Sequence, residues 1–197
     1  MLYGNSMTTN LSELPKDLPS PADDGAASHL EGTSFPNLAL PSTDGGSVNF
    51  ATLRSRNVLY IYPMTGQPGV PLPDGWDAIP GARGCTPQAC SYRDHYAELK
   101  SLNTDVFGLS VQSTGDQKEA RDRLHLPFQL LSDSSLRLKQ LLRLPTFTVG
   151  EMELYKRLTM IVEDGRITKV FYPVFPPDRN VNDVLIWLRS KDRKSVV

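Results

Sequence analysis

Two uninterrupted apolar runs constrain this chain more than anything else in it: "NVLYIY" (57–62) and "DVFGLSV" (105–111). A strand with one face in water alternates apolar and polar side chains. A run without that alternation is what a strand covered on both faces requires. Between the runs, Ala89, Tyr92, Tyr96, Leu99 and Leu102 advance by three and four. That is the spacing of one helix face, and it predicts a helix over about 87–102. Strand, helix, strand is a βαβ unit with a parallel pair.

The flanking sequence extends this unit. "FPNLAL" and "SVNF" enclose the turn residues "STDGG" and read as an N-terminal β-hairpin. "DQKEARDRLH" predicts a second helix with a solvated face, "FQLLSD" a short strand and "SLRLKQLLRL" a short helix. In "RLTMIVEDGRITKVFY" two β-rich runs meet at Asp164-Gly165, a strong hairpin signal. "VNDVLIWLRS" closes the chain as a helix with Val181, Val184, Leu185 and Leu188 on one face. This order is that of an α/β, thioredoxin-like sandwich: an N-terminal hairpin and a central mixed sheet flanked by helices. The fold is expected to begin near Phe35. Residues 1–30, rich in Pro, Gly, Ser and Asp without apolar periodicity, are expected to be a flexible tail, with 31–197 as the single domain. Met7 is an alternative start.

Composition narrows the function classes. At 22% charged residues and a net charge of −1, the chain lacks the basic excess that nucleic acid or an anionic membrane would call for. No apolar run approaches the roughly 18 residues of a spanning helix. The N-terminus has no basic flank before an apolar core, which argues against a secretory signal. A cytoplasmic location is the expectation. In that reducing setting, close cysteines are more often catalytic or metal-binding than structural.

The chain has two cysteines, Cys85 and Cys90. Before them runs a 21-residue stretch, 64–84, with four prolines, five glycines and Trp76. A connection that long is usually functional or mobile. Cys85 precedes Thr86 and Pro87, and proline favours the first helical turn. The sulfur is therefore expected at a helix N-terminus, with Thr86 as N-cap, where free amides and the helix dipole favour a thiolate. Gly81 and Gly84 allow close backbone approach to a ligand, and Arg83 adds positive charge. Residues five apart in a helix have Cα atoms roughly 8.6 Å apart and point about 140° away from each other. A disulfide needs Cα atoms within about 7 Å. Either Cys85 and Cys90 never pair, or the first turns unwind so that Cys90 condenses with an oxidised Cys85.

The segment "GCTPQACSYRD" resembles the active-site segment of Q-type peroxiredoxins, the bacterioferritin-comigratory-protein group. The resemblance extends over about 35–188 and includes "NVLYIYP", "LSV", "PFQLLSD" and "RLTMIVEDGRI". It implies a thiol peroxidase in which Cys85 attacks the O–O bond of a hydroperoxide and Cys90 resolves the product. By the same likeness Arg157 stabilises the thiolate and polarises the peroxide, and Pro63 shields the site. Hydroperoxide is then the substrate, thioredoxin or a similar dithiol the reductant, and no metal or organic cofactor is required. The chain departs from the group at Ala82, where a Thr or Ser is usual. Thr65 is the hydroxyl expected to fill that role, with Thr86 as a further pocket residue.

Competing readings start from the same residues. Cys90 alone, beside Ala89, would be a small core residue, and Arg157 a solvated charge. Tyr92 and Tyr96 read as core packing, and Trp76 as an anchor for its loop. Cys85, Cys90 and His95 could bind zinc or copper, but successive steps of five rotate by about 140° and do not converge. The alternative is a non-peroxidatic thioredoxin-fold protein that exchanges disulfides, or binds a metal or partner, through Cys85 and Cys90.

Overall fold

The computed structural model describes residues 10–194. Its centre is a five-stranded mixed sheet in the order β5-β4-β3-β8-β9. These strands are β3 (Arg56–Ile61), β4 (Thr104–Ser110), β5 (Gln129–Ser132), β8 (Leu158–Glu163) and β9 (Arg166–Phe171). β3 pairs parallel with β4 and antiparallel with β8, so it is central on both edges. Its apolar run divides by the strand period of two. Val58, Tyr60 and Tyr62 face one core with Cys85, Tyr92 and Leu185. Leu59 and Ile61 face the other with Phe50, Leu109 and Met160. An unbroken apolar sequence is thus two alternating half-sequences, each buried on its own side.

The expected hairpins form. β1 (Leu40–Pro41) and β2 (Ser47–Val48) pair antiparallel, and Asp44 Oδ1 accepts the Gly46 N–H at 2.9 Å inside their turn. The β8–β9 turn places Asp164 at φ 48° and Gly165 at φ 74°, the two left-handed residues of a tight hairpin. The helices are α1 (Cys85–Asp94), α2 (Tyr96–Ser101), α3 (Thr114–Arg123), α4 (Arg137–Leu142) and α5 (Asn180–Lys194).

Several boundaries differ from expectation. The helix expected over 87–102 is two helices, interrupted at His95 (φ −101°, ψ 9°). It also starts earlier, because Gly84 at φ 107° turns the chain so that Cys85 is already helical. Gly84, not Thr86, is the cap residue. Pro87 falls third in the helix, still among the N–H groups that have no intrahelical acceptor. The hairpin β6 (Thr146–Val149) and β7 (Met152–Tyr155) was not expected. Nor does the fold begin near Phe35: Ala27 and Leu30 are buried in the same core as Phe35 and Phe50. Asp24 joins them to the domain by ion-pairing with Lys156 at 2.7 Å and accepting from Tyr172 at 2.8 Å. The first nine residues of the expected tail lie outside the described residues.

One position shows how tightly the sheet face is filled. A Cβ on Gly108 of β4 would stand 2.6 Å from the Tyr60 ring and 2.6 Å from Leu130 Cδ2. Tyr60 is fully buried and stacked on Tyr92, with centroids 4.7 Å apart, so it has nowhere to retreat. Gly108→Ala is expected to cost about 1–3 kcal/mol. Urea denaturation followed by circular dichroism would show it as a lower midpoint with an unchanged slope.

Candidate active site

Cys85 is the first residue of α1, and its position is fixed by the glycine before it. A Cβ on Gly84 would lie 2.4 Å from Pro177 Cγ and 2.8 Å from Leu14 Cδ2, and the backbone there is left-handed. Glycine alone meets both conditions without strain. The thiol is 5% exposed. Its Sγ accepts from Arg157 Nη2 at 3.2 Å and donates to the Ala82 carbonyl at 3.7 Å.

Arg157, immediately before β8, is itself 3% exposed. Its Nη2 also donates to the carbonyls of Ala82 at 3.1 Å and Arg83 at 3.2 Å, and its Nη1 to Gln88 Oε1 at 2.6 Å. All these oxygens are neutral. Among the described residues Arg157 has no carboxylate within ion-pair distance. A buried cation without a counter-charge is costly. The sulfur it touches is the group that can ionise to supply one, and a charge-assisted bond then holds it. The solvated charge is therefore the wrong reading of Arg157.

Gln88 links Arg157 to a wider buried network. Its Nε2 donates to Asn180 Oδ1 at 3.2 Å, the oxygen that also accepts from Tyr92 Oη at 2.6 Å and Thr159 Oγ1 at 2.7 Å. This hub ties α1, β8 and the start of α5 together. Gln88 stands three residues after Cys85, which puts both on one helix face, and that spacing was its only sequence signal. Asn180 offered none.

The other expected residues fall as follows. Thr86 is buried beside Cys85. Pro63 is buried just after β3. Thr65 is buried, but its backbone N–H donates to Gln112 Oε1 at 2.7 Å and its carbonyl accepts from Gln112 Nε2 at 3.1 Å. The cavity over Cys85 is lined by its neighbours Met64 and Gly66 and not by Thr65 itself. Thr86, not Thr65, is the hydroxyl residue lining that cavity. Burial pushes the Tyr62 hydroxyl up to about 12, so it stays protonated at neutral pH. Tyr92 and Tyr96 pack in the core layer as expected. Trp76, 4% exposed, anchors the inserted loop against Phe147 with ring centroids 6.1 Å apart.

Cys85 and Cys90 are both free thiols. With α1 intact they sit five residues apart on a continuous helix. Cys90 is half-buried against the core, and burial raises its thiol above the ordinary range. The cavity over Cys85 measures about 10 Å³. A neighbouring cavity of about 890 Å³ lies between residues 10–12, the inserted loop and Arg123.

Comparison with known proteins gives a consistent family. The redoxin family model matches residues 30–185. The chain is 28% identical over 162 residues to a chloroplastic peroxiredoxin Q of Oryza sativa subsp. japonica, covering 81% of this chain and 67% of that one. It is 30% identical over 123 residues to peroxiredoxin bcp1 of Schizosaccharomyces pombe, covering 60% and 55%. The crystal structure of peroxidoxin BcpB from Mycobacterium tuberculosis superposes with a TM-score of 0.67 at 21% identity, covering 82% of this chain and 98% of that one.

The raised Cys90 thiol has a pH consequence. A raised value favours the protonated form in the fold, so native Cys90 is still a thiol where an unfolded one, near 8.5, is half ionised. Alkylation of Cys90 in Cys85→Ser protein is expected to reach its midpoint at higher pH natively than in urea. The same preference stabilises the fold fully below the unfolded value and fades as pH rises through the folded one. Coincident midpoints would show that the half-buried position leaves Cys90 unshifted.

Proposed function

The chain belongs to the redoxin family as a Q-type peroxiredoxin, a thiol peroxidase, and on that premise we propose that Cys85 is its peroxidatic sulfur, Arg157 its activating cation and Cys90 its resolving thiol. The observation that carries this is the 3.2 Å contact from a buried, carboxylate-free guanidinium to the Cys85 sulfur. Hydroperoxide is the substrate, and a thioredoxin-type dithiol is the reductant.

In the first step the Cys85 thiolate attacks the nearer peroxide oxygen. The S–O bond forms, the O–O bond breaks, and the departing oxygen leaves as water or alcohol after taking up a proton. Negative charge moves from sulfur to the leaving oxygen. The Arg157 Nη2 proton that faces the sulfur is placed to follow it, a stabilisation that needs no reorganisation. Thr86, in the same cavity, supplies a hydroxyl for orienting the peroxide. In the second step Cys90 attacks the sulfur of the Cys85 sulfenic acid; the S–S bond forms and water leaves. An intact α1 holds the two too far apart for this, so its first turns must open. An external dithiol then restores both thiols by exchange and carries away the two oxidising equivalents.

The sulfur itself carries the electrons, so this reading needs no metal or organic cofactor. A cytoplasmic place of action belongs to the same proposal. Its support is a chain with two cysteines, both free, and so no disulfide framework.

The test is intact mass and peptide mapping after one equivalent of hydrogen peroxide. Wild type should lose two hydrogens, mapped to a Cys85–Cys90 bridge. Cys90→Ser should gain one oxygen on Cys85 and stop turning over with thioredoxin. Cys85→Ser should remain unchanged, and turnover by that variant would defeat the proposal. Arg157→Met should slow the first oxidation roughly 100-fold or more, the size of effect seen when one preorganised donor is removed. Stopped-flow kinetics would measure it.

A further inference from the structure

Cys85 is closed off from the peroxide it is proposed to attack. A cavity of about 10 Å³ has room for one water at most, and a hydroperoxide needs space for two bonded oxygens and their substituent. Leu11 belongs to the N-terminal arm; Leu72 and Trp76 belong to the inserted loop. These three and Arg83 line both the small cavity and the 890 Å³ cavity beside it. They are the partition between the sulfur and the larger space.

How the partition is fastened matters. Arg83, 6% exposed, reaches in two directions: Nη2 donates to the Asn10 carbonyl at 2.7 Å, and Nη1 to Asp77 Oδ1 at 3.2 Å. It clasps the arm to the loop two residues from the sulfur, while its own carbonyl receives Arg157. Leu11 seats against bare backbone at Gly66, where a Cβ would stand 2.9 Å from its Cδ2. Leu14 seats in the same way at Gly84. Both leucines are only half-buried. Among the described residues, no backbone–backbone hydrogen bond ties 10–24 to the rest of the domain, so side chains and the Arg83 clasp hold the arm. A segment held this way opens without disturbing the sheet.

We infer that residues 10–14, clasped to the inserted loop by Arg83, form a gate over Cys85 that must lift before a hydroperoxide can reach the sulfur. The inference rests on the peroxidase reading of that site. Lifting Leu11 joins the two cavities and exposes Sγ, whereas Arg157, Gln88 and Asn180 stay in place because none of them touches the arm through a hydrogen bond. Arg83 and Leu11 are then positioning residues that act through access.

The full-length reduced protein is compared with two variants: Leu11→Ser/Leu14→Ser, which removes the apolar seats, and Asp77→Ala, which frees the clasp from the loop side. Each is treated with hydrogen peroxide and, separately, with iodoacetamide, and fragmentation assigns the modified cysteine. Cys85 should react about tenfold faster with both reagents in the double variant and a few-fold faster in Asp77→Ala, while Cys90 keeps its wild-type rate toward iodoacetamide. Cys85 alkylation that stays the same or falls, or peroxide oxidation that is seen in wild type and stays the same or falls in the variants, would make the cover a fixed wall of the pocket and overturn the gate. Equal acceleration of alkylation at Cys85 and Cys90 would reveal general loosening and also overturn it. Faster alkylation at Cys85 with no oxidation by peroxide in any form would retain the gate and remove the peroxidase assignment.

Discussion

A guanidinium buried without a carboxylate is the constraint from which the rest of this structure follows. The two terminal nitrogens of Arg157 bond two carbonyls, a glutamine oxygen and a sulfur, while its buried Nε has no hydrogen-bond partner among the described residues. Each partner comes from a different demand on the chain. The carbonyls of Ala82 and Arg83 point inward because the turn before α1 runs through left-handed glycines at 81 and 84. The glutamine is held by Asn180, which in turn secures Tyr92 and Thr159. Among the hydrogen-bond partners of Arg157 in the described residues, the Cys85 sulfur is the one that can ionise. The fold leaves the charge imbalance there, beside the sulfur proposed to attack peroxide.

The fold is legible in the sequence where its signal is local. β3 and β4 were legible because each is covered on both faces and shows it in consecutive residues. The β8–β9 hairpin was legible because Asp164-Gly165 can adopt the two left-handed conformations its turn needs. The break at His95 was not, since Tyr96 and Leu99 continue the helical apolar spacing through it. The β6–β7 hairpin was overlooked although "TFTV" and "MELY" are β-compatible and Gly150 lies between them. Its strands are short and partly exposed, so the alternation is weak.

The site divides along the same line. Cys85 announced itself through Gly84, Thr86 and Pro87, and Arg157 through the resemblance of its strand. Gln88 and Asn180 are 92 residues apart and meet only because α1 and the start of α5 pack together. Thr65 failed as the expected pocket hydroxyl for a plain reason: in an extended segment neighbours alternate sides, and Met64 and Gly66 took the side facing the sulfur. Residues 10–30 carry no periodicity, yet Ala27 and Leu30 are core, Leu11 lines the cavity over the thiol and Leu14 packs on Gly84. Irregular backbone leaves no pattern to read, even when its side chains are well seated.

The bond from Gln88 to Arg157 makes the two thiols mutually exclusive in their working arrangements. Gln88 lies between Cys85 and Cys90 on α1, so any unwinding that brings the sulfurs together also carries Gln88 away from Nη1 and from Asn180. The disulfide state is therefore one in which the cation has lost its alignment along with its sulfur. Refolding of the same turn restores both at once. On the proposed mechanism a single stretch of helix thus works as an interlock, in which the machine that captures one oxidant is dismantled until the previous one has been cleared.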